Sequence, residues 1–159
     1  MDGKDGGGET YLWTPSLMRD QNEVISSIDT KVNYSSVNSF KGLTFGAVRG
    51  RVIKPLDTAF LTNDIVRVDV HNEEQLLQLL RRNRVDVVTL PKTIAIPMIK
   101  KLNIEENIFI SPTPIYTYSR HIMLTSDLKE VHGYLTEVVR NLSTDPRWKA
   151  ILLKYNLDV

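Results

Sequence analysis

The chain has 159 residues, 42% of them hydrophobic, and carries 20 Lys and Arg against 19 Asp and Glu. That is enough for one compact domain with a sizeable core, without the basic excess a nucleic-acid surface needs. There is no cysteine, which excludes a disulfide scaffold, a thiol nucleophile and a cysteine-ligated metal together, and leaves the redox compartment open. No apolar run reaches the roughly 18 residues of a membrane-spanning helix, so no membrane insertion is expected.

In chain order, the opening "MDGKDGGGET" is polar and glycine-rich, lacks the apolar segment of a signal peptide, and reads as a disordered leader or an appended scar over residues 1–10. In "YLWTPSLMRDQ", Trp13, Leu17 and Met18 stand at roughly helical spacing, and Pro15 would open that helix. "NEVISSIDTKV" alternates as a strand, with Val24, Ser26, Ile28, Thr30 and Val32 on one face. "SSVNSFKG" predicts a helical turn closed by Gly42. "LTFGAVR" is a strand with few charges and is expected in a central position. Pro55 is expected to start a short helix over residues 56–61, and "IVRVDV" alternates as the next strand.

The clearest helix is "HNEEQLLQLLRRNR". Asn72 is its N-cap, Glu73 and Glu74 lie in its first turn, Arg81 and Arg82 in its last, and Leu76, Leu77 and Leu80 form the core stripe. "VDVVTL" is nearly all apolar and β-branched, as in a strand buried on both faces. "PKTIAIPMIKKLN" predicts a helix beginning near Ile96 or kinked there, because an interior proline costs about 3 kcal/mol. "NIFIS" and "IYTYSRHIML" predict strands around the turn "PTP". Ser126 would cap a long helix to about Asn141, and Thr144 or Asp145 another, with Pro146 at its first position. Strands alternating with helices from Leu43 to Ile110 imply an α/β fold of three layers, α/β/α, around a mostly parallel sheet.

The stretches "FKGLTFGAVRG", "EEQLLQLLRRNRVDVVTLPKTIAIPMIKKL", "NIFISPTPIYTYSRH" and "LTEVVRNLSTDPRWKAILLKY", in this order, resemble the extracellular solute-binding proteins of the amino-acid-transport type. The resemblance runs from about Glu23 to Tyr155. It implies one lobe of a type II periplasmic-binding-protein fold, with the second lobe at about residues 33–112 and crossing strands and C-terminal helices at about 23–32 and 113–157, all within one domain, 11–159. Because about ninety residues of a first lobe have no counterpart before "NEVISSID", the chain reads as a fragment or as a natural single lobe. It further implies a small-molecule ligand, a membrane permease as partner, a periplasmic or extracellular location and no cofactor. Apolar surface left without the first lobe would favour a homodimer.

In an open parallel sheet, ligands sit at the carboxyl ends of strands. The candidate ligand-binding residues are therefore Arg49, Gly50, Arg51 and Val52 after one strand, and Pro91 and Lys92 after another. Gly50 lets the backbone approach a ligand, and the helix that follows would aim N–H groups at an anion. The family holds a ligand carboxylate with small residues after this glycine, where this chain has Arg51 and Val52. It holds the ligand's amino group with an aspartate whose position falls near Pro91, which has neither charge nor N–H. The basic residues favour an anionic ligand over an amino acid. The alternative is that Arg49 and Arg51 are solvated strand-end charges.

Asp86 is expected to serve structure, bonding backbone or Arg84. His71, His121 and His132 are far apart in sequence, without the spacing of a zinc site. Tyr116 and Tyr118 share a strand face and either pack or stack on a ligand. No nucleophile elbow or acid/base pair is visible, so the chain is read as a binder and not an enzyme. The alternatives are the sensor domain of a signalling protein, a non-catalytic piece of an enzyme built on the same fold, and an interaction domain.

Overall fold

A computed structural model describes residues 2–4, 10–62, 64–155 and 157. The chain divides into two compact units, Gln21–Thr117 and the pair of segments Met1–Asp20 and Tyr118–Val159. It passes from one to the other within β3 (Met18–Ser27) and β8 (Tyr116–Arg120).

The larger unit is built on a sheet in the order β5-β4-β6-β3-β7, with β8 paired to β3. Its strands β4 (Thr44–Val48), β5 (Val66–Val70) and β6 (Val87–Pro91) run parallel, β4 between the other two. On the far side of β6, β3 and β7 (Ile108–Ile110) continue the sheet antiparallel. The α/β class and the central, adjacent placement of "LTFGAVR" and "VDVVTL" are as expected; the sheet is parallel in one half and antiparallel in the other.

Two apolar clusters cover its faces. On one, Leu76, Leu77 and Leu80 of α2 (Glu73–Arg81) and Ala95 and Ile99 of α3 (Lys92–Leu102) pack with Ile25, Val88 and Leu90. On the other, Phe40, Ile53, Leu56 and Ile65 pack with Val24, Phe45 and Val87, and α1 (Asp57–Leu61) adds Ala59 and Phe60. Each fully buried leucine contributes about 1.5–3 kcal/mol by leaving water. The period-2 pleat makes this possible: Phe45 and Ala47 face the aromatic side, while Gly46 lets α2 approach the sheet, its missing Cβ lying 3.1 Å from Leu76 Cδ2 and 3.0 Å from Val88 Cγ1.

The smaller unit holds a three-stranded sheet, β1-β2-β9, from Asp2–Lys4, Thr10–Trp13 and Met123–Thr125. Helix α4 (Lys129–Leu142) lies against β2 and buries Val139, and α5 (Pro146–Lys154) buries Leu152. Two histidines bind neighbouring carbonyls here: His121 Nδ1 donates to Thr14 O at 2.8 Å and His132 Nε2 to Trp13 O at 3.1 Å. Val131, Tyr134, Ile151 and Leu153 of α4 and α5 are exposed.

Several expectations change. No helix starts at Pro15: Leu17 N–H donates to Arg120 O at 2.8 Å and β3 begins at Met18, while just before it residues 10–13 form a strand, Tyr11, Leu12 and Trp13 pairing with Thr125, Leu124 and Met123. Asp2–Lys4 also form a strand, since a backbone ladder needs no apolar side chain; residues 5–9 of the expected leader lie outside the described residues. Strand β3 is shifted to Met18–Ser27, and the chain turns where Lys31 N–H reaches Ser27 O with Lys31 at φ 46. Helix α3 begins at Lys92 and carries Pro97 in its second turn, where the proline removes a single i→i−4 bond while Ala95 and Ile99 stay buried. "IYTYSRHIML" breaks at His121 and Ile122 into two strands, and α4 starts at Lys129 after a turn closed by Leu128 N–H to Thr125 O.

Candidate functional site

Parallel pairing of β5, β4 and β6 puts the carboxyl ends of three strands on one edge of the larger unit. After β4 come Arg49, Gly50, Arg51 and Val52; after β5, His71 and Asn72; after β6, Lys92, with Pro91 the strand's last residue. The antiparallel neighbour begins at the same edge, with Asn22 opposite Pro91 and Glu23 opposite Leu90.

The segment after β4 is pinned by its backbone. Arg49 N–H donates to Val70 O at 2.8 Å, and Arg51 N–H to Val48 O at 3.0 Å. Gly50 takes φ +77, a left-handed value that favours glycine, and faces open space. Arg67 Nη2 holds the Arg51 carbonyl at 3.0 Å, while Arg67 itself pairs with Asp69 and lies over the Phe60 ring. Val52 is 64% exposed. The side chain of Arg49 is solvent-exposed and that of Lys92 half-buried, and neither has an ion-pair partner among the described residues.

Arg51 is different. Its Nη2 lies 2.7 Å from Glu73 Oε1, at the first position of α2. The Glu73 carboxyl is held below its ordinary range, first by its own amide N–H at the helix start and then by Arg51. A groove lined by Asn72, Glu73, Glu74, Gln75, Gln78 and Met98 opens beside this helix start, its two carboxylates paired with Arg51 and Lys101.

One local expectation is corrected. The helix after Gly50 does not begin at the strand end: residues 51–53 intervene, a 3-10 turn over Lys54–Leu56 contains Pro55, and α1 opens with Asp57. An imino nitrogen and a carboxylate there work against anion binding. Asp86 is structural, as expected, and of its two expected partners it takes the backbone: Thr44 N–H donates to Asp86 Oδ2 at 2.7 Å.

Residues not singled out from the sequence also reach this edge. Asn22 and Glu23 are buried, Asn22 Nδ2 donates to the Tyr116 hydroxyl at 2.8 Å, and Gln21 Nε2 donates to Glu23 Oε1 at 2.8 Å. One pair further in, the buried Thr89 hydroxyl has no hydrogen-bond partner among the described residues. The only sequence signal for this group was the polar run "DQNE" at the head of an apolar strand. In the smaller unit, Asp20 is fully buried and receives Arg120 Nη2 at 2.6 Å and the Tyr118 hydroxyl at 3.3 Å.

No family model matches the sequence, and no curated protein matches it. Solved structures do share its fold. ArgBP from T. maritima superposes with a TM-score of 0.74 at 14% identity, over 98% of this chain and 66% of that one. The amino-acid ABC transporter substrate-binding protein AbpA from Streptococcus pneumoniae, bound to L-arginine, gives 0.73 at 15% identity, over 98% and 65%. The GluR0 ligand-binding core in complex with L-glutamate gives 0.67 at 12% identity, over 91% and 62%. The chain therefore has the type II periplasmic-binding-protein fold and spans about two thirds of the length of these proteins.

Proposed function

We propose that this chain is a solute-binding module of an ABC-type uptake system, holding a small molecule at the carboxyl ends of β4 and β6 without performing chemistry on it. The observation that carries the reading is the coincidence of that edge with a fold shared by ligand-binding proteins such as AbpA. Arg49, Gly50, Arg51, Val52, Pro91 and Lys92 are the proposed contacts. Pro91 offers no charge to an ammonium, whereas Arg49 and Lys92 are unpaired cations among the described residues, so the solute is anionic. A second lobe supplies the other wall of the cleft, a membrane permease is the partner, and the site of action is the periplasm or the cell exterior. No described helix is long and apolar enough to cross a membrane.

A complete cleft binding at 1 μM is worth about −8 kcal/mol, and one wall with half of that energy, about −4, binds at about millimolar. The test is an amide NMR titration with monocarboxylates, dicarboxylates, phosphorylated metabolites and amino acids. Millimolar shifts clustered at Gly50 and Lys92 with the anions support the reading. Submicromolar binding of a zwitterionic amino acid overturns the choice of ligand, and no binding of any solute at this edge overturns the site.

A second reading, a sensor module, is favoured by the likeness to the GluR0 ligand-binding core. Co-purification with a permease from solubilised membranes separates uptake from sensing.

A further inference from the structure

Resting on the binding reading above, we propose that Glu73 is a specificity-determining residue: an internal carboxylate that occupies the Arg51 guanidinium and makes the edge selective for singly charged over doubly charged anions. Both partners are preorganised. The Arg51 backbone is held on one side by its N–H bond to Val48 O and on the other by Arg67 at its carbonyl. Glu73 opens a helix whose start is already closed by Asn72, which accepts from Gln75 N–H at 2.9 Å. With both backbones held, the two side chains start from fixed positions and meet at 2.7 Å.

The pair is not sealed. The Arg51 and Glu73 side chains keep 32% and 26% of their exposure, so an arriving anion reaches both. It finds one side of the guanidinium taken and a carboxylate beside it, while the next acid along the groove, Glu74, is itself paired with Lys101 at 3.0 Å. Repulsion from Glu73 scales with the charge of the ligand, so a dianion is penalised about twice as much in free energy as a monoanion at the same distance. Arg49 and Lys92 are left to hold a single carboxylate. The sequence offers no hint of this, since Glu73 alone reads as an ordinary helix-start acid.

The experiment is an amide NMR titration of wild type, E73Q, the double variant R51Q/E73Q and E74Q with propionate and succinate at constant ionic strength. E73Q is nearly isosteric and keeps the Asn72 cap, and E74Q removes the same charge from the same helix turn and releases Lys101 instead of Arg51. The expected result is tighter binding to E73Q, about threefold for propionate and about tenfold for succinate, with shifts at Gly50 and Arg51. E74Q is expected to gain clearly less, and R51Q/E73Q to return to wild-type affinity. An E73Q that binds succinate no tighter than wild type, while both show shifts at Gly50 and Lys92, overturns this inference and leaves the binding reading standing. A gain that persists in R51Q/E73Q overturns it as well, because Arg51 is then not the group released. Absence of shifts at this edge in every protein overturns both.

Discussion

The Asp86 carboxylate accepts the Thr44 amide proton at 2.7 Å while the Asp86 amide returns a bond to the Thr44 carbonyl at 2.8 Å. This two-way clamp joins the first residue of β4 to the residue just before β6, and sets the parallel register that continues as Phe45 opposite Val87. Replacing Asp86 by Ala leaves a half-buried amide without its acceptor and is expected to cost about 1–3 kcal/mol. Arg84→Ala, at an exposed position, is expected to stay within about 0.5 kcal/mol. Urea denaturation of the two variants checks the contrast, and equal losses would assign the Asp86 partner to Arg84.

Leu80 is fully buried on the sheet-facing side of α2. Leu80→Ala is expected to destabilise by about 2–5 kcal/mol, through lost transfer energy and the cavity left behind. Leu153, 77% exposed on α5, is the counterpart whose truncation is expected to change stability by less than about 0.5 kcal/mol. Denaturation midpoints at unchanged slope are the readout, and a Leu80→Ala midpoint equal to wild type removes that leucine from the core.

Two glycines separate strain from crowding. At Gly46 an added Cβ meets Val88 Cγ1 at 3.0 Å and Leu76 Cδ2 at 3.1 Å, so Gly46→Ala overpacks the helix–sheet interface, at a cost of about 1–3 kcal/mol. At Gly50 the space is open but φ is +77, and alanine there costs about 1–2 kcal/mol in backbone strain alone. Gly50→Asn tolerates the left-handed region and is expected to recover part of that loss, whereas Gly46→Asn is expected to be worse than Gly46→Ala. Thermal unfolding of the four variants is the measurement, and the reverse order at either position would contradict the geometry.

Asp145 caps α5, and its carboxyl is lowered from its ordinary 3.8 to about 2, chiefly by the Arg147 side chain and next by the Arg147 amide. A depressed carboxyl stabilises the folded form above its unfolded pKa, and the contribution disappears as pH falls through the folded value. The cap is therefore intact above about pH 4 and lost on descending toward pH 2. Carboxyl NMR titration of Asp145 in wild type and Arg147→Gln is the check. Arg147→Gln is expected to move the midpoint back toward 3.8, and an unmoved midpoint would reject the pairing.

Helix α2 shows what was legible without coordinates. Its cap at Asn72, its acidic first turn, its leucine stripe and its last-turn arginine all act within four residues, and the helix formed as read, over Glu73–Arg81. The apolar strands β4 and β6 were recognisable for a similar reason, since β-branched runs without charge have few places to go except the middle of a sheet. The strand ends at Gly50 and Pro91 followed from those two strands, and with them the candidate site.

Tertiary structure decided the rest, wherever the deciding partner is distant in sequence. Local spacing after Pro15 favours a helix, but Leu17 N–H is bonded to the distant Arg120 carbonyl and β3 begins at Met18, and that pairing outweighs a weak propensity. The reach of Asn22 to Tyr116 and of Arg51 to Glu73 depends on which strands are neighbours and in which direction they run. The sequence by itself determined the class of fold and the strand ends that carry Arg49, Arg51 and Lys92, because those arise from composition and short-range periodicity. Only the fold decided that one of its arginines is already neutralised, because a charge pair is set by distance in space, and chain separation carries almost none of that information.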